Sequence, residues 1–293
     1  VLPRITFSAS TSAVAVAHNE AAAVTKVRIG AKTYTEQYVL VEVMKQRLAH
    51  AGVAVEVAES LGSTVAFDAL SAGQIDAYVD YSGTLWTTQM KRASGTPRWR
   101  VLTELEAWLA ARGIRSLGSL GFENAYTLAL KRTTAEKLHA KQIGDLAPSA
   151  KSLAIGGDYE WFSRAEWASV KSGYGLSFAR QATFDPALLY DAVTRGDVDV
   201  ISAFSSDGRI AANDLVTLDD PRGALPPYDA MVLLAPRIAD DPTVACALVP
   251  LSGKITVELM RRANLMVDRE TDKQTPAAAA TWLLQQIHVD ECK

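Results

Sequence analysis

Leu70-Ser71-Ala72-Gly73-Gln74-Ile75-Asp76-Ala77-Tyr78 and Val193-Thr194-Arg195-Gly196-Asp197-Val198-Asp199-Val200-Ile201 follow one plan. Each reads as a helix end, a glycine suited to the left-handed conformation that closes a helix, and a strand opening hydrophobic-Asp-hydrophobic. An aromatic stands eight residues beyond each glycine, Tyr81 in the first unit and Phe204 in the second. Two such units about 120 residues apart point to two similar α/β domains rather than to a short-period repeat. A chance recurrence of a common helix-to-strand turn is the alternative. Because open α/β sheets bind ligands beyond the carboxyl ends of their strands, Tyr81 and Phe204 are expected to face each other across a cleft.

The flanking sequence extends the pattern. Val27-Arg28-Ile29-Gly30 predicts a short strand, and Thr33 with Glu36 three residues later predicts a capped helix running to about His50 and ended by Gly52. Val53–Val57 alternates as a second strand, Ser63–Ala72 is a helix stopped by Gly73, and Ile75–Val79 is a third strand. Thr103 with Glu106 and Thr133 with Glu136 read as two further capping boxes, and Thr275-Pro276 opens a last helix over Ala277–Ile287. Strands alternating with helices of this length predict βαβ units and largely parallel sheets.

Composition fits this picture and excludes several others. The 293 residues are 48% hydrophobic and 22% charged, with 30 basic and 33 acidic residues and a net charge of −3. No long Lys/Arg run is present, which argues against nucleic acid as a partner, and no apolar stretch reaches the roughly 18–20 residues of a membrane span. Residues 1–25 are rich in Ala, Ser, Thr and Val, and Ala15-Val16-Ala17 before His18 reads like the small-residue cleavage site of an export signal; an irrelevant loose terminus is the alternative. In an exported protein the two cysteines, Cys246 and Cys292, suggest one disulfide, against two unrelated thiols.

Catalytic machinery is not evident. The histidines (His18, His50, His139 and His288) lack metal-like spacing, and there is no HExxH, CxxC, GxSxG or Walker-type loop. No enzyme activity, metal or cofactor is expected. The loops at predicted strand ends are instead aromatic and polar: Asp80-Tyr81-Ser82-Gly83-Thr84, Gly121-Phe122-Glu123-Asn124-Ala125-Tyr126, Tyr159-Glu160-Trp161-Phe162-Ser163-Arg164, Phe204, and Pro226-Pro227-Tyr228. Taken singly each ring is ordinary packing. Together they can enclose a quaternary ammonium, which donates no hydrogen bond and is held by ring faces, while the Arg164 guanidinium can fork onto a carboxylate.

The ordered set of motifs resembles the osmoprotectant-binding proteins that capture glycine betaine, choline or carnitine for ABC importers. Gly30-Ala31-Lys32-Thr33-Tyr34-Thr35-Glu36-Gln37 is similar to the family opening G-S-K-x-F-T-E-Q. Gly73-Gln74-Ile75-Asp76, Tyr81-Ser82-Gly83-Thr84, Phe122–Leu128, Ala203-Phe204-Ser205-Ser206-Asp207-Gly208, Pro226-Pro227-Tyr228 and Gly253-Lys254-Ile255-Thr256 have counterparts in the same order. The resemblance spans Val27 to Ile287. It implies an α/β fold of the type II periplasmic binding protein kind, two lobes joined by two crossovers: residues 26–123 plus 229–293 as one lobe, 124–228 as the other, and 1–25 as a leader. It implies a periplasmic, monomeric protein whose partners are a small quaternary-ammonium solute and a membrane permease.

Carried over by motif, the resemblance makes Tyr81, Tyr126, Phe204 and Tyr228 the aromatic cage, Lys32, Thr84 and Arg164 the partners of a ligand carboxylate, and Asn124 an edge residue where some relatives are acidic. Phe204 stands where the family usually has tyrosine, and Asn124 removes a negative partner. The first keeps a ring face but loses a hydroxyl and with it a hydrogen bond to ligand or lobe; the second favours a zwitterionic betaine, with Arg164 on its carboxylate, over a bare cation such as choline. Trp161 and Trp167 either admit a bulkier betaine or merely pack. The rival readings are the same fold holding an amino acid or a bulky betaine, and a receptor module that has lost transport.

Overall fold

The computed structural model describes residues 26–289. The leader expected over 1–25 and the predicted disulfide partner Cys292 lie outside these residues. In chain order the regular elements are β1 (Lys26–Lys32), α1 (Thr35–His50), β2 (Ala54–Leu61), α2 (Ser63–Ser71), β3 (Ala77–Tyr81), α3 (Ser82–Thr84), α4 (Arg98–Ala110), β4 (Arg115–Glu123), β5 (Tyr126–Lys131), α5 (Arg132–Leu138) and β6 (Ala154–Gly157). There follow α6 (Ala165–Tyr174), β7 (Arg180–Thr183), α7 (Pro186–Arg195), β8 (Val200–Phe204), α8 (Arg209–Ala212), β9 (Leu215–Thr217), β10 (Asp229–Leu234), α9 (Pro242–Leu248), α10 (Val257–Asp268) and α11 (Pro276–Ile287). No helix among the described residues is long and apolar enough to cross a membrane.

Two five-stranded sheets result, ordered β2-β1-β3-β10-β4 and β7-β6-β8-β5-β9. In each, four strands run one way and one runs against them: β10 is antiparallel to β3 and β4, and β5 is antiparallel to β8 and β9. The expectation of largely parallel sheets therefore needs one correction per sheet. The reversed strand is the one the chain enters directly after passing from the other sheet. β5 follows β4 through Asn124 and Ala125, and β10 follows the second passage at Tyr228.

Local sequence explains the framework. Val39, Leu40, Val43, Met44 and Leu48 recur on one face of α1 and are buried. Gly52, at a φ of +78°, takes the left-handed turn that ends this helix and frees the chain for β2. β3 is buried along its whole length because it lies between β1 and β10.

The paired units quoted above do the same mechanical work. Gly73 and Gly196 both adopt positive φ, +67° and +85°. The aspartate that follows each glycine then clamps the neighbouring parallel strand. Asp76 accepts from Arg28 N through its carboxylate (2.7 Å) and donates its own N–H to Arg28 O. Asp199 accepts from Ala154 N (2.8 Å) and donates to Ala154 O. Strands β3 and β8 are thus registered by equivalent bonds, and Tyr81 and Phe204 end them.

Three capping boxes read from the sequence are not formed. α1 begins at Thr35 with Tyr34 at its N-cap and no side-chain cap, because the Glu36 carboxylate is drawn away by distant partners described below. Thr103 lies inside α4, its hydroxyl bonded to Trp99 O, since the helix starts earlier at Arg98. α5 starts after Lys131, which leaves Thr133 inside the first turn. The cap of the last helix is formed: Thr275 accepts from Ala278 N.

The segment after β3 packs against the second passage between the sheets. Ser82 donates its hydroxyl to Pro227 O and accepts from Asp229 N, both at 2.9 Å. A Cβ on Gly83 would lie 2.6 Å from Pro227 O and 2.8 Å from the Tyr228 ring. Gly83→Ala is therefore expected to destabilise the protein by about 1–3 kcal/mol through overpacking, read as a lower urea midpoint with unchanged slope. An unaltered midpoint would show that this passage shifts without cost.

Candidate functional site

The ends of β3, β5 and β8 and the two passages between sheets open onto one cavity of about 150 Å³. That is well below the roughly 300–1,000 Å³ of pockets for drug-sized ligands. Lys32, Tyr81, Thr84, Asn124, Tyr126, Arg164, Phe204 and Tyr228, the residues singled out from sequence, all line it. They come from both sheets, so the cavity lies between the two halves of the fold.

Five rings surround the space in a linked series. Tyr34 lies 6.4 Å from Tyr81 and is stacked on Phe204 at 6.3 Å with 2° between ring planes. Tyr126 is tilted 4.8 Å from Phe204 and meets Tyr228 edge-on at 5.7 Å. Tyr81, Tyr126 and Tyr228 are buried. Burial pushes the phenols of Tyr34, Tyr81, Tyr126 and Tyr228 well above the usual tyrosine value. All four therefore keep their protons at neutral pH, and Tyr81, Tyr126 and Tyr228 act as hydrogen-bond donors.

Those donors have partners behind the rings. Tyr81 donates to Glu36 Oε1 at 2.5 Å, Tyr228 to Glu166 Oε1 at 2.5 Å, and Tyr126 reaches Asp158 Oδ2 at 3.4 Å. Glu36 is 3% exposed and makes no ion pair among the described residues; it also accepts from Asn124 Nδ2 and Asn264 Nδ2, each at 3.0 Å. Burial pushes its carboxyl above the usual range against the pull of these hydrogen bonds. Asp158 lines the cavity and is buried. Its Oδ1 accepts from Glu160 N and Trp161 N, and burial raises its carboxyl as well.

The basic residues are held too. Lys32 Nζ pairs with Asp80 Oδ1 at 2.5 Å, with both side chains nearly inaccessible, and lies 5.3 Å over the Tyr81 ring. Its charge is thus matched by a resident carboxylate, while its side chain still lines the cavity. Arg164 pairs with Glu160 and, through Nε at 3.4 Å, with Glu166, and its guanidinium lies 5.3 Å over Tyr126. Burial works against that charge, but Tyr126, Glu166, Tyr228 and Glu160 outweigh it and hold the group firmly cationic. Arg164 lines the cavity, and its Nη2 makes no hydrogen bond among the described residues.

Several lining residues escaped the sequence reading. Tyr34 was quoted within a motif but not as a ring of the site. Asp158 immediately precedes the aromatic loop, and Glu160 and exposed Tyr159 were quoted within that loop but not as residues of the site. Trp161 and Trp167 do not line the cavity. Trp161 is fully buried 4.7 Å behind Tyr126, with Trp167 5.8 Å beyond it, so both are packing and the idea that they admit a bulkier ligand is not carried by their placement. The predicted bridge between Cys246, on α9, and Cys292 falls outside the described residues at its second end.

A family model described as the substrate binding domain of an ABC-type glycine betaine transport system matches residues 25–285. The carnitine transport binding protein OpuCC of Listeria monocytogenes is 27% identical over 274 residues, covering 91% of this chain and 88% of that one. A glycine-betaine-binding protein of Pseudomonas aeruginosa is 28% identical over 279 residues, covering 90% and 88%. Among solved structures, one described as a glycine betaine/carnitine/choline ABC transporter superposes with a TM-score of 0.76 at 28% identity, covering 88% of this chain and 97% of that chain.

The buried Glu36 carboxyl gives a test of this geometry. Its folded value lies above its unfolded value of about 4.3. Between the two the folded protein keeps a proton that the unfolded chain has released, so its contribution to stability falls as pH rises through that window. The stability of the wild type minus that of Glu36→Gln should therefore decline from about pH 4 upward, measured by urea unfolding at several pH values. A flat or rising difference would remove Glu36 from this buried position.

Proposed function

The chain belongs to the family of substrate-binding domains of ABC-type glycine betaine transport systems, and on that premise we propose that it captures a zwitterionic quaternary-ammonium solute such as glycine betaine or carnitine. The observation that carries the reading is the convergence of Tyr34, Tyr81, Tyr126, Phe204 and Tyr228 from both sheets on one small cavity with Arg164 at its edge. A trimethylammonium group is poorly served by hydrogen-bond acceptors alone, and each desolvated ring face contributes roughly 0.5–2 kcal/mol. The methylated head belongs among the rings. The ligand carboxylate belongs toward Arg164 and Thr84, with Lys32 holding Asp80 and through it the end of β3.

Capture proceeds by closure. Residues 26–123 plus 229–293 form one lobe and 124–228 the other, and the passages at Asn124 and Tyr228 form the hinge. Ligand that touches rings from both lobes favours the closed form by its differential affinity for it. The closed form then delivers its solute to a membrane permease. The protein works as a periplasmic monomer and performs no chemistry on the solute; the buried basic and acidic groups of the cavity wall are paired with each other and serve binding.

Thermal shift with glycine betaine, carnitine and choline tests the reading, since a ligand that binds the folded state raises Tm by mass action. The carboxylate-bearing solutes are expected to give the larger shifts. Arg164→Ala should cost them about 1.5–3 kcal/mol, the range for a hydrogen bond to a charged group, and choline less. No shift with any of the three would refute the assignment.

A further inference from the structure

Three of the rings share an arrangement that cage chemistry does not require: each phenol reaches a buried carboxylate. The three cases differ in charge balance. Glu166, behind Tyr228, is neutralised in part by Arg164 and also accepts from Thr87 at 3.0 Å, so it anchors its ring. Glu36, behind Tyr81, and Asp158, behind Tyr126, make no ion pair among the described residues. Around the cavity, Lys32 and Arg164 face the carboxylates of Glu36, Asp80, Asp158, Glu160 and Glu166. Once Lys32 is matched by Asp80 and Arg164 by one of its two glutamates, an excess of negative charge remains immediately behind the cage.

We infer that Glu36 and Asp158 are the residues that make the cage selective for positive charge, acting through and around the Tyr81 and Tyr126 rings. This rests on the reading of the cavity as a quaternary-ammonium site. A ring face attracts a cation through its quadrupole, and a phenol that donates to a carboxylate carries more negative charge on that face. The carboxylates add their own field in a site shielded from water. Asp158 lines the cavity beside the Tyr126 hydroxyl, and Glu36 lies behind the Tyr81 hydroxyl, so one charge acts at the wall and the other one layer deeper. Asn124 fits the same scheme. It lines the cavity as an uncharged amide and donates to Glu36 at 3.0 Å, which ties that carboxylate to the cavity edge.

Shape and charge can be separated with isosteres. Glycine betaine and 3,3-dimethylbutanoate share a carboxylate and a head of the same shape, but only the first head is charged; choline and 3,3-dimethylbutan-1-ol form a second such pair. Calorimetry on the full chain should show Glu36→Gln and Asp158→Asn each weakening the charged member by about tenfold, equivalent to about 1.4 kcal/mol. The uncharged member should change by less than about twofold, or bind more tightly in the case of the butanoate. Tyr81→Phe provides a check that leaves Glu36 in place. It removes the phenol link while keeping the ring, as Phe204 does naturally, and should reduce the preference for charge by about threefold. Parallel weakening of both members in these variants, or no weakening of either, would overturn the inference and leave the cage itself intact. Binding of neither charged solute by the wild type would overturn the functional reading together with it.

Discussion

The two passages between the sheets lie side by side, and this seam fixes everything the site needs. Asn124 N donates to Tyr228 O at 3.0 Å, and Glu123 pairs with Asp229 across β4 and β10. Ser205, just after β8, joins the same seam by bonding Glu123 O and the Ala125 backbone. A solute that offers no hydrogen-bond donor must be held by surfaces on several sides. Those surfaces can come from two separately folded sheets only if the sheet ends are held close. The seam does this with backbone groups and two small hydroxyls, those of Ser82 and Ser205, and leaves the side chains at the strand ends free to be rings.

Burying several carboxylates and two cations beside a cavity is costly unless each is bonded. Here the bonds come from the same groups that shape the site. Lys32, Tyr78 and the Tyr81 N–H all converge on Asp80, so one carboxylate sets the end of β3 and the orientation of a cage ring. Glu36 collects a phenol, an amide from the seam and an amide from α10. It therefore links α1, the cage, the passage between sheets and the C-terminal helices at one point. Such a group is worth more as a constraint on geometry than as a source of stability, and its raised carboxyl value is the sign of that balance.

Much of this was legible in the sequence because its signals are local. The glycine that closes a helix and the aspartate that follows need only their neighbours and the adjacent strand, so the match between the units at Gly73 and Gly196 survived into equivalent bonds at Asp76 and Asp199. Glu36 failed for the opposite reason. Its spacing from Thr33 is that of a capping box, but three partners distant in sequence compete for the carboxylate and win. Asp158 gave no signal at all, since an acidic residue ahead of a turn reads as a solvated loop. Tyr34 was hidden by its place at the start of α1, where a ring reads as part of the helix face. A stronger cue was available in the opening motif, whose tyrosine and glutamate both turn out to serve the cavity.

Phe204 shows how these constraints fit together. Every other ring of the series is a tyrosine, and Tyr81, Tyr126 and Tyr228 each have a carboxylate to receive the hydroxyl. Phe204 ends β8 with its backbone N–H bonded to Tyr190 Oη and its ring flat against Tyr34, which comes from the opposite side of the cavity. A parallel stack between rings from the two halves is made by faces and needs no hydroxyl. The loss of one at this position removes a donor that would otherwise have to be satisfied near the contact between lobes. Read this way, the departure from tyrosine does not weaken the cage. It marks a place where rings from the two lobes meet face to face, while Tyr81, Tyr126 and Tyr228 keep hydroxyls that buried carboxylates receive.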